Sequence, residues 1–150
     1  METRIEVRPD HKIAAIRHIG PYYEIGAAFG RLGEWVKGSG TPWGEMVGVF
    51  YDDPRVVPIG ELRSDAAMTV VEGTAVGGEV EVRELPGGRF FTATHMGPYS
   101  GLPNAWGEFV QKFIASGFKR REAPTFEVYV QPMGMVPDEE VRTDLFIPIE

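Results

Sequence analysis

The sequence predicts an α+β fold built by duplication: a strand-helix-strand-strand module, with a further leading strand, used twice. Three observations predict it. His18-Ile19-Gly20-Pro21-Tyr22 returns 77 residues later as His95-Met96-Gly97-Pro98-Tyr99, and recurrence of blocks in order marks a repeated structural unit. Glu61-Leu62-Arg63-Ser64-Asp65 returns 79 residues on as Glu140-Val141-Arg142-Thr143-Asp144. Between these blocks, Ile25, Phe29, Leu32 and Val36 share the spacing of Leu102, Trp106, Phe109 and Phe113, which is that of one buried helix face.

The elements follow in order. Residues 3–8 and 12–18 read as strands around the polar turn Pro9-Asp10-His11. Gly20-Pro21 opens the first helix, with proline near its first turn. Gly38-Ser39-Gly40 and Gly117 end the two helices. Strands are expected at about 46–52 and 125–131, then at about 62–72 and 141–149. Tyr51 and Pro54 match Tyr129 and Pro132 at an offset of 78, and Ile5-Glu6-Val7-Arg8 matches Val80-Glu81-Val82-Arg83 at 75. A longer turn at Pro86-Gly87-Gly88 accounts for the drift. Glu72–Glu79, with three glycines, joins the copies. Residues 1–150 read as a single domain with pseudo-repeats 1–74 and 75–150. The expected architecture is two antiparallel sheets with pseudo-two-fold symmetry and a central ligand cleft, since grooves between halves are where ligands tend to bind.

Composition excludes several classes. Net charge is −7 and cysteine is absent, so disulfides and thiolate metal sites are ruled out. Phosphate neutralisation needs a basic face. The only short basic cluster, Lys119-Arg120-Arg121, reads as a solvated loop, and no direct nucleic-acid binding is expected. No apolar run approaches the ~18 residues of a membrane span, and the first residues do not resemble a secretory leader. A cytoplasmic protein without cofactor is expected.

Glu127 is the sharpest chemical feature. Strand alternation places Thr125, Glu127 and Tyr129 on one face, with Phe126, Val128 and Val130 on the other. At an offset of 78 the counterpart of Glu127 is Val49, so one copy holds a carboxylate that its twin lacks. Such an acid among apolar groups has a raised pKa, and it suits a cationic ligand or general acid–base work. His18 and His95 lack metal-ligand spacing and read as hydrogen-bonded strand ends, with no metal site. Asp65 and Asp144 read as turn carboxylates bonded to backbone.

The duplicated His-x-Gly-Pro-Tyr blocks, Phe126-Glu127-Val128-Tyr129-Val130 followed by Pro132, and the closing Asp144-Leu145-Phe146-Ile147-Pro148-Ile149 resemble the GyrI-like small-molecule-binding family. That family includes effector-binding domains of AraC-type and MerR-type regulators, and the resemblance covers essentially the whole chain. It implies a cleft whose acidic floor matches Glu127, with Tyr129 and Phe146 beside it. Trp106 and Phe91 are read as core or ligand wall, and Trp43 as a cap over the cleft or the core. Tyr22 and Tyr99, which begin the helices, are read as structural or as reaching the ligand. The expected function is binding of hydrophobic or cationic aromatic compounds, as a xenobiotic sensor or sink. The resemblance offers two alternatives: a hydrolase opening strained cyclopropane rings with Glu127 as general acid or base, and a gyrase-interacting protein. Direct transcriptional control is not expected, because the repeat leaves no room for a helix-turn-helix domain.

Overall fold

Each half of the chain makes four strands and one long helix, as the repeat predicts. The structure, a computed structural model, describes residues 1–150. Its elements are β1 (Thr3–Arg8), β2 (His11–Ile19), α1 (Gly26–Ser39), β3 (Met46–Phe50), β4 (Arg63–Val70), β5 (Glu81–Leu85), β6 (Gly88–Met96), α2 (Leu102–Ser116), β7 (Thr125–Gln131) and β8 (Arg142–Ile149). The fold is α+β, and all the strand pairings described below are antiparallel. No helix is long and apolar enough to cross a membrane.

The chain divides into two units, but not at the join between the repeats. The N-terminal unit is Asp10–Pro86; the C-terminal unit is Gly87–Glu150 together with Met1–Pro9. The strand order is β3-β4-β2-β5 in the first and β1-β6-β8-β7 in the second. β1 and β2 therefore do not pair with each other around Pro9-Asp10-His11. β1 pairs with β6 from Thr3↔Ala93 to Arg8↔Gly88, and β5 pairs with β2 from His11↔Leu85 to Ala15↔Glu81. Pro9 carries no N–H for a ladder, so it separates two strands instead of closing a hairpin.

In the N-terminal unit, Ala28 and Leu32 of α1 pack on Ala14, Ile16, Ala66 and Met68 of the sheet, with Phe29 and Val36 at the margin. In the C-terminal unit, Leu102, Ala105 and Phe109 of α2 pack on Phe91, Ala93, Leu145, Ile147 and Ile149. The fully buried Phe109 contributes roughly 1.5–3 kcal/mol by burial alone, and it stacks on Phe91 at 5.3 Å. Both helices lie on the face that the sequence spacing assigns to them.

The repeated His-x-Gly-Pro motif is a backbone device. Gly20 and Gly97 hold φ values of 129° and 131°, a region that side chains other than glycine's rarely allow. That conformation lets their N–H groups donate to Leu62 O and Val141 O, both at 2.8 Å. His18 Nε2 donates to Pro21 O at 2.9 Å, and His95 Nε2 to Pro98 O at 3.2 Å. Both histidines thus close the strand-to-helix turn, in keeping with the strand-end reading.

Asp65 and Asp144 are not turn carboxylates; both lie within strands. Asp65 is fully buried in β4. Arg17 Nε donates to it at 2.9 Å, Arg83 Nε at 3.0 Å and the Tyr51 hydroxyl at 2.6 Å. Asp144 in β8 accepts from Thr94 Oγ1 at 2.7 Å and from Arg142 at 3.1 Å, with Arg4 at 3.5 Å. At Asp65 and Asp144 these charged partners offset the cost of burying a carboxylate.

Candidate functional site

The site is built where α2 crosses β7. Register fixes its face: Glu127 stands opposite Leu145, and Leu145 belongs to the core beneath α2. Glu127 therefore points toward the helix and is 5% exposed. Trp106, one turn before Phe109, donates its indole Nε1–H to Glu127 Oε2 at 2.8 Å. The Tyr129 hydroxyl donates to Oε1 at 2.7 Å. Tyr99 packs its ring edge-on to Tyr129 at 5.5 Å. Trp106, Tyr129 and Tyr99 are each partly exposed, so aromatic rings stand between the buried acid and the surface.

Electrostatics at this point are set by burial. Desolvation pushes the Glu127 carboxyl up from its ordinary value, against the opposing pull of the Trp106 and Tyr129 hydrogen bonds and of His95. The two groups that donate to the carboxylate, an indole and a phenol, are neutral. The Tyr129 hydroxyl is pushed well up by burial and by the neighbouring acid, so it remains a donor. Tyr99 is also tied to the segment after β7: Met133 N–H donates to Tyr99 Oη, and Tyr99 N–H to Met133 Sδ, both at 3.4 Å.

The same registers correct the identity of Glu127's counterpart. Val49 stands opposite Asp65, as Val128 stands opposite Asp144; Gly48 stands opposite Ala66, as Glu127 stands opposite Leu145. The offset through these strands is 79, and the residue in Glu127's place is Gly48, not Val49. Phe50 stands opposite Ser64 as Tyr129 stands opposite Thr143, so Phe50 replaces Tyr129. Tyr51, which matches Tyr129 in the sequence, lies instead on the face of Asp65. With Phe29 in the place of Trp106, the N-terminal unit lacks the acid and both of its donors together. The packing is otherwise kept: Tyr22 meets Phe50 at 4.8 Å, as Tyr99 meets Tyr129.

The other sequence candidates separate. Phe91 lies on the Glu127 side but deep in the core, against Phe109, Phe113 and Phe118. Phe146 is on the opposite face of the sheet: it stacks on its register partner Phe126 at 4.5 Å, beneath Arg8 at 5.1 Å. A residue beside Glu127's own partner Leu145 in sequence must point away from it. Tyr22 and Trp43 belong to the N-terminal unit. There, the Tyr22 hydroxyl donates to Asp52 O at 2.6 Å, and Trp43 is 46% exposed in the loop before β3. The structure thus gathers Trp106, Glu127, Tyr129 and Tyr99.

A family model, the GyrI-like small molecule binding domain, matches residues 1–150. The chain belongs to that family. Among its relatives, the protein named DNA gyrase inhibitor 2 of Dickeya dadantii (strain 3937) is 33% identical over 134 residues, which span 87% of this chain and 85% of that protein. Among solved structures, the C-terminal domain of EcmrR superposes with a TM-score of 0.81 at 18% identity, covering 99% of this chain and 97% of that one. In its DNA complex, EcmrR is longer, and the GyrI-like chain spans 57% of it, at a TM-score of 0.84 and 16% identity. A protein bound to tetraphenylphosphonium superposes at 0.69, with 18% identity, over 100% of this chain and 94% of that one.

Proposed function

We propose that this GyrI-like domain binds hydrophobic aromatic cations in the C-terminal unit, with Glu127 as counter-charge and Trp106, Tyr129 and Tyr99 as aromatic walls. One observation supports this most: a buried carboxylate whose hydrogen-bond donors are an indole and a phenol. An acid so placed gains more from a cation that reaches it than an exposed acid would, because the surroundings screen it poorly. The rings add attraction through their faces. Absence of all three polar groups from the N-terminal unit argues that folding does not require them. The tetraphenylphosphonium held by the related structure is of the same chemical class.

The test is calorimetric titration of tetraphenylphosphonium and of neutral triphenylphosphine oxide into the wild type and Glu127→Gln. The cation is expected to lose about tenfold or more in affinity, equal to about 1.4 kcal/mol, while the neutral compound changes little. Equal losses for both, or no binding of the cation by the wild type, would refute the reading.

A second reading rests on the raised Glu127 carboxyl. A carboxyl whose burial favours its protonated form is suited to general acid catalysis on a strained electrophile. Ring-opened product above the buffer rate, detected by mass spectrometry on a cyclopropane-bearing alkylator and abolished in Glu127→Gln, would support it. Binding without turnover would leave the domain as a receptor.

A further inference from the structure

The outer edge of β1 has no strand beside it, because β1 ends the order β1-β6-β8-β7. No loop backbone hydrogen bond reaches Thr3–Val7 either. Edge strands are usually guarded by charged side chains, especially lysine, by proline or by a bulge. β1 contains no proline, its pairing to β6 is regular from end to end, and its charges, Arg4, Glu6 and Arg8, are of mixed sign and so do not exclude a second copy. It presents Ile5 at 40% exposure and Val7 at 76%. Ile5 pairs with Phe91, so Ile5 and Val7 share the α2 side of the sheet. There, Ile114 and Phe118 are exposed as well, at 60% and 39%.

We infer that β1 is a self-pairing edge, through which two copies of this chain associate as antiparallel strands about a two-fold axis at Ile5. Residues directly opposite one another share a face, so an antiparallel pair must match charged residues with charged and apolar with apolar. Three registers do so near the strand centre. The register with Thr3 opposite Ile5 sets Arg4 against Arg4 and Glu2 against Glu6. The register with Ile5 opposite Val7 sets Glu6 against Glu6 and Arg4 against Arg8. The register centred on Ile5 sets Arg4 against Glu6 and Glu2 against Arg8, each twice by symmetry, with Val7 against Thr3 on the apolar side. Only this last one pairs opposite charges throughout. An isologous contact of this kind closes after two copies.

Within one copy, Arg4 Nε already lies 2.7 Å from Glu6 Oε1 and Arg8 covers the rings of Phe126 and Phe146, so strand pairing would share these groups between the copies. β5, which ends the strand order of the N-terminal unit, is not equivalent. Its charge-matching register, centred on Val82, would set Glu84 against Val80, which is buried at 3% exposure. A six-residue strand with a narrow apolar margin makes a small interface, so the dimer should be weak and concentration-dependent.

Sedimentation equilibrium across a wide concentration range tests this. The wild type should pass from monomer to dimer and stop there. Ile5→Lys places two ammonium groups face to face at the axis, and it should weaken the dimer by at least ~10-fold, or about 1.4 kcal/mol. Ile5→Glu should do the same. An equimolar mixture of the two variants should recover a heterodimer, because lysine then faces glutamate, and this recovery separates lost pairing from lost folding. A wild type that is monomeric up to its solubility limit, or variants that dimerise as the wild type does, would overturn the inference. So would a mixture that stays monomeric.

Discussion

The indole N–H of Trp106 donates to Glu127 Oε2 at 2.8 Å, joining α2 to β7 through the one acid buried beneath the helix. In the N-terminal unit the corresponding positions hold Phe29 and Gly48, with Phe50 in the place of Tyr129. The N-terminal unit therefore supplies the natural substitutions. Trp106→Phe or Tyr129→Phe, each copying the twin, should cost roughly 1–3 kcal/mol, because each strips a donor from a buried carboxyl group. Urea unfolding measures this. In the background of Glu127→Gln each cost should fall by about half or more, and additive costs would break the link between acid and donors.

Stability should depend on pH through Glu127 with a definite sign. Its folded-state value is raised above the ordinary 4.5, so the folded state holds the proton more tightly than the unfolded state. The contribution from this group is fully present below the ordinary value and is lost as pH rises through the folded-state value. Glu127→Gln should therefore unfold at a higher temperature than the wild type at neutral pH. The difference should shrink on acidification toward 4.5, in paired thermal melts.

Cation binding should move the opposite way. Only the ionised carboxylate attracts a cation strongly, so tetraphenylphosphonium affinity should rise with pH through the Glu127 titration and then level off. Binding should also release protons in that window. Calorimetry in buffers of different ionisation enthalpy would detect the release. Neutral triphenylphosphine oxide should show neither effect.

Asp65 gives a contrasting prediction in the N-terminal unit. It is fully buried and receives Arg17, Arg83 and Tyr51. Asp65→Ala would strip Arg17 of its counter-charge and leave Arg83 with Glu81 alone, and it should cost about 3 kcal/mol. Because β5 supplies Arg83, hydrogen exchange should show β5 loosening from β2 in any surviving folded protein.

Much of this was legible in the sequence, and the failures have a common origin. Helix faces were readable because a 3.6-residue period survives small drifts in alignment. The side of the sheet on which Glu127 lies, with Tyr129 beside it, was readable as alternation. Its counterpart was not. The Tyr51–Tyr129 match suggests an offset of 78 where the sheet register has 79, and a slip of one reverses every side chain. Phe146 was drawn to Glu127 by family analogy, although its pairing with Phe126 sends it to the other face. Asp65 looked like a turn residue because its arginine partners are 48 positions before it and 18 after it in the chain. The strand exchange left no local mark, since Pro9-Asp10-His11 reads equally well as a reversal or as a crossing.

That exchange carries a consequence for synthesis of the chain. β1 leaves the ribosome well before its partner β6, which begins only at Gly88. A nascent chain cut at the end of the first repeat would hold an unmated leading strand, and β2 would lack β5 along one flank. β1 must wait until Gly88–Met96 has been made, so neither repeat can mature ahead of the other. A fragment ending near Glu72 should accordingly be a poor folder, whereas a permuted chain starting at Asp10, with Met1–Pro9 appended after Glu150, would keep each compact unit contiguous.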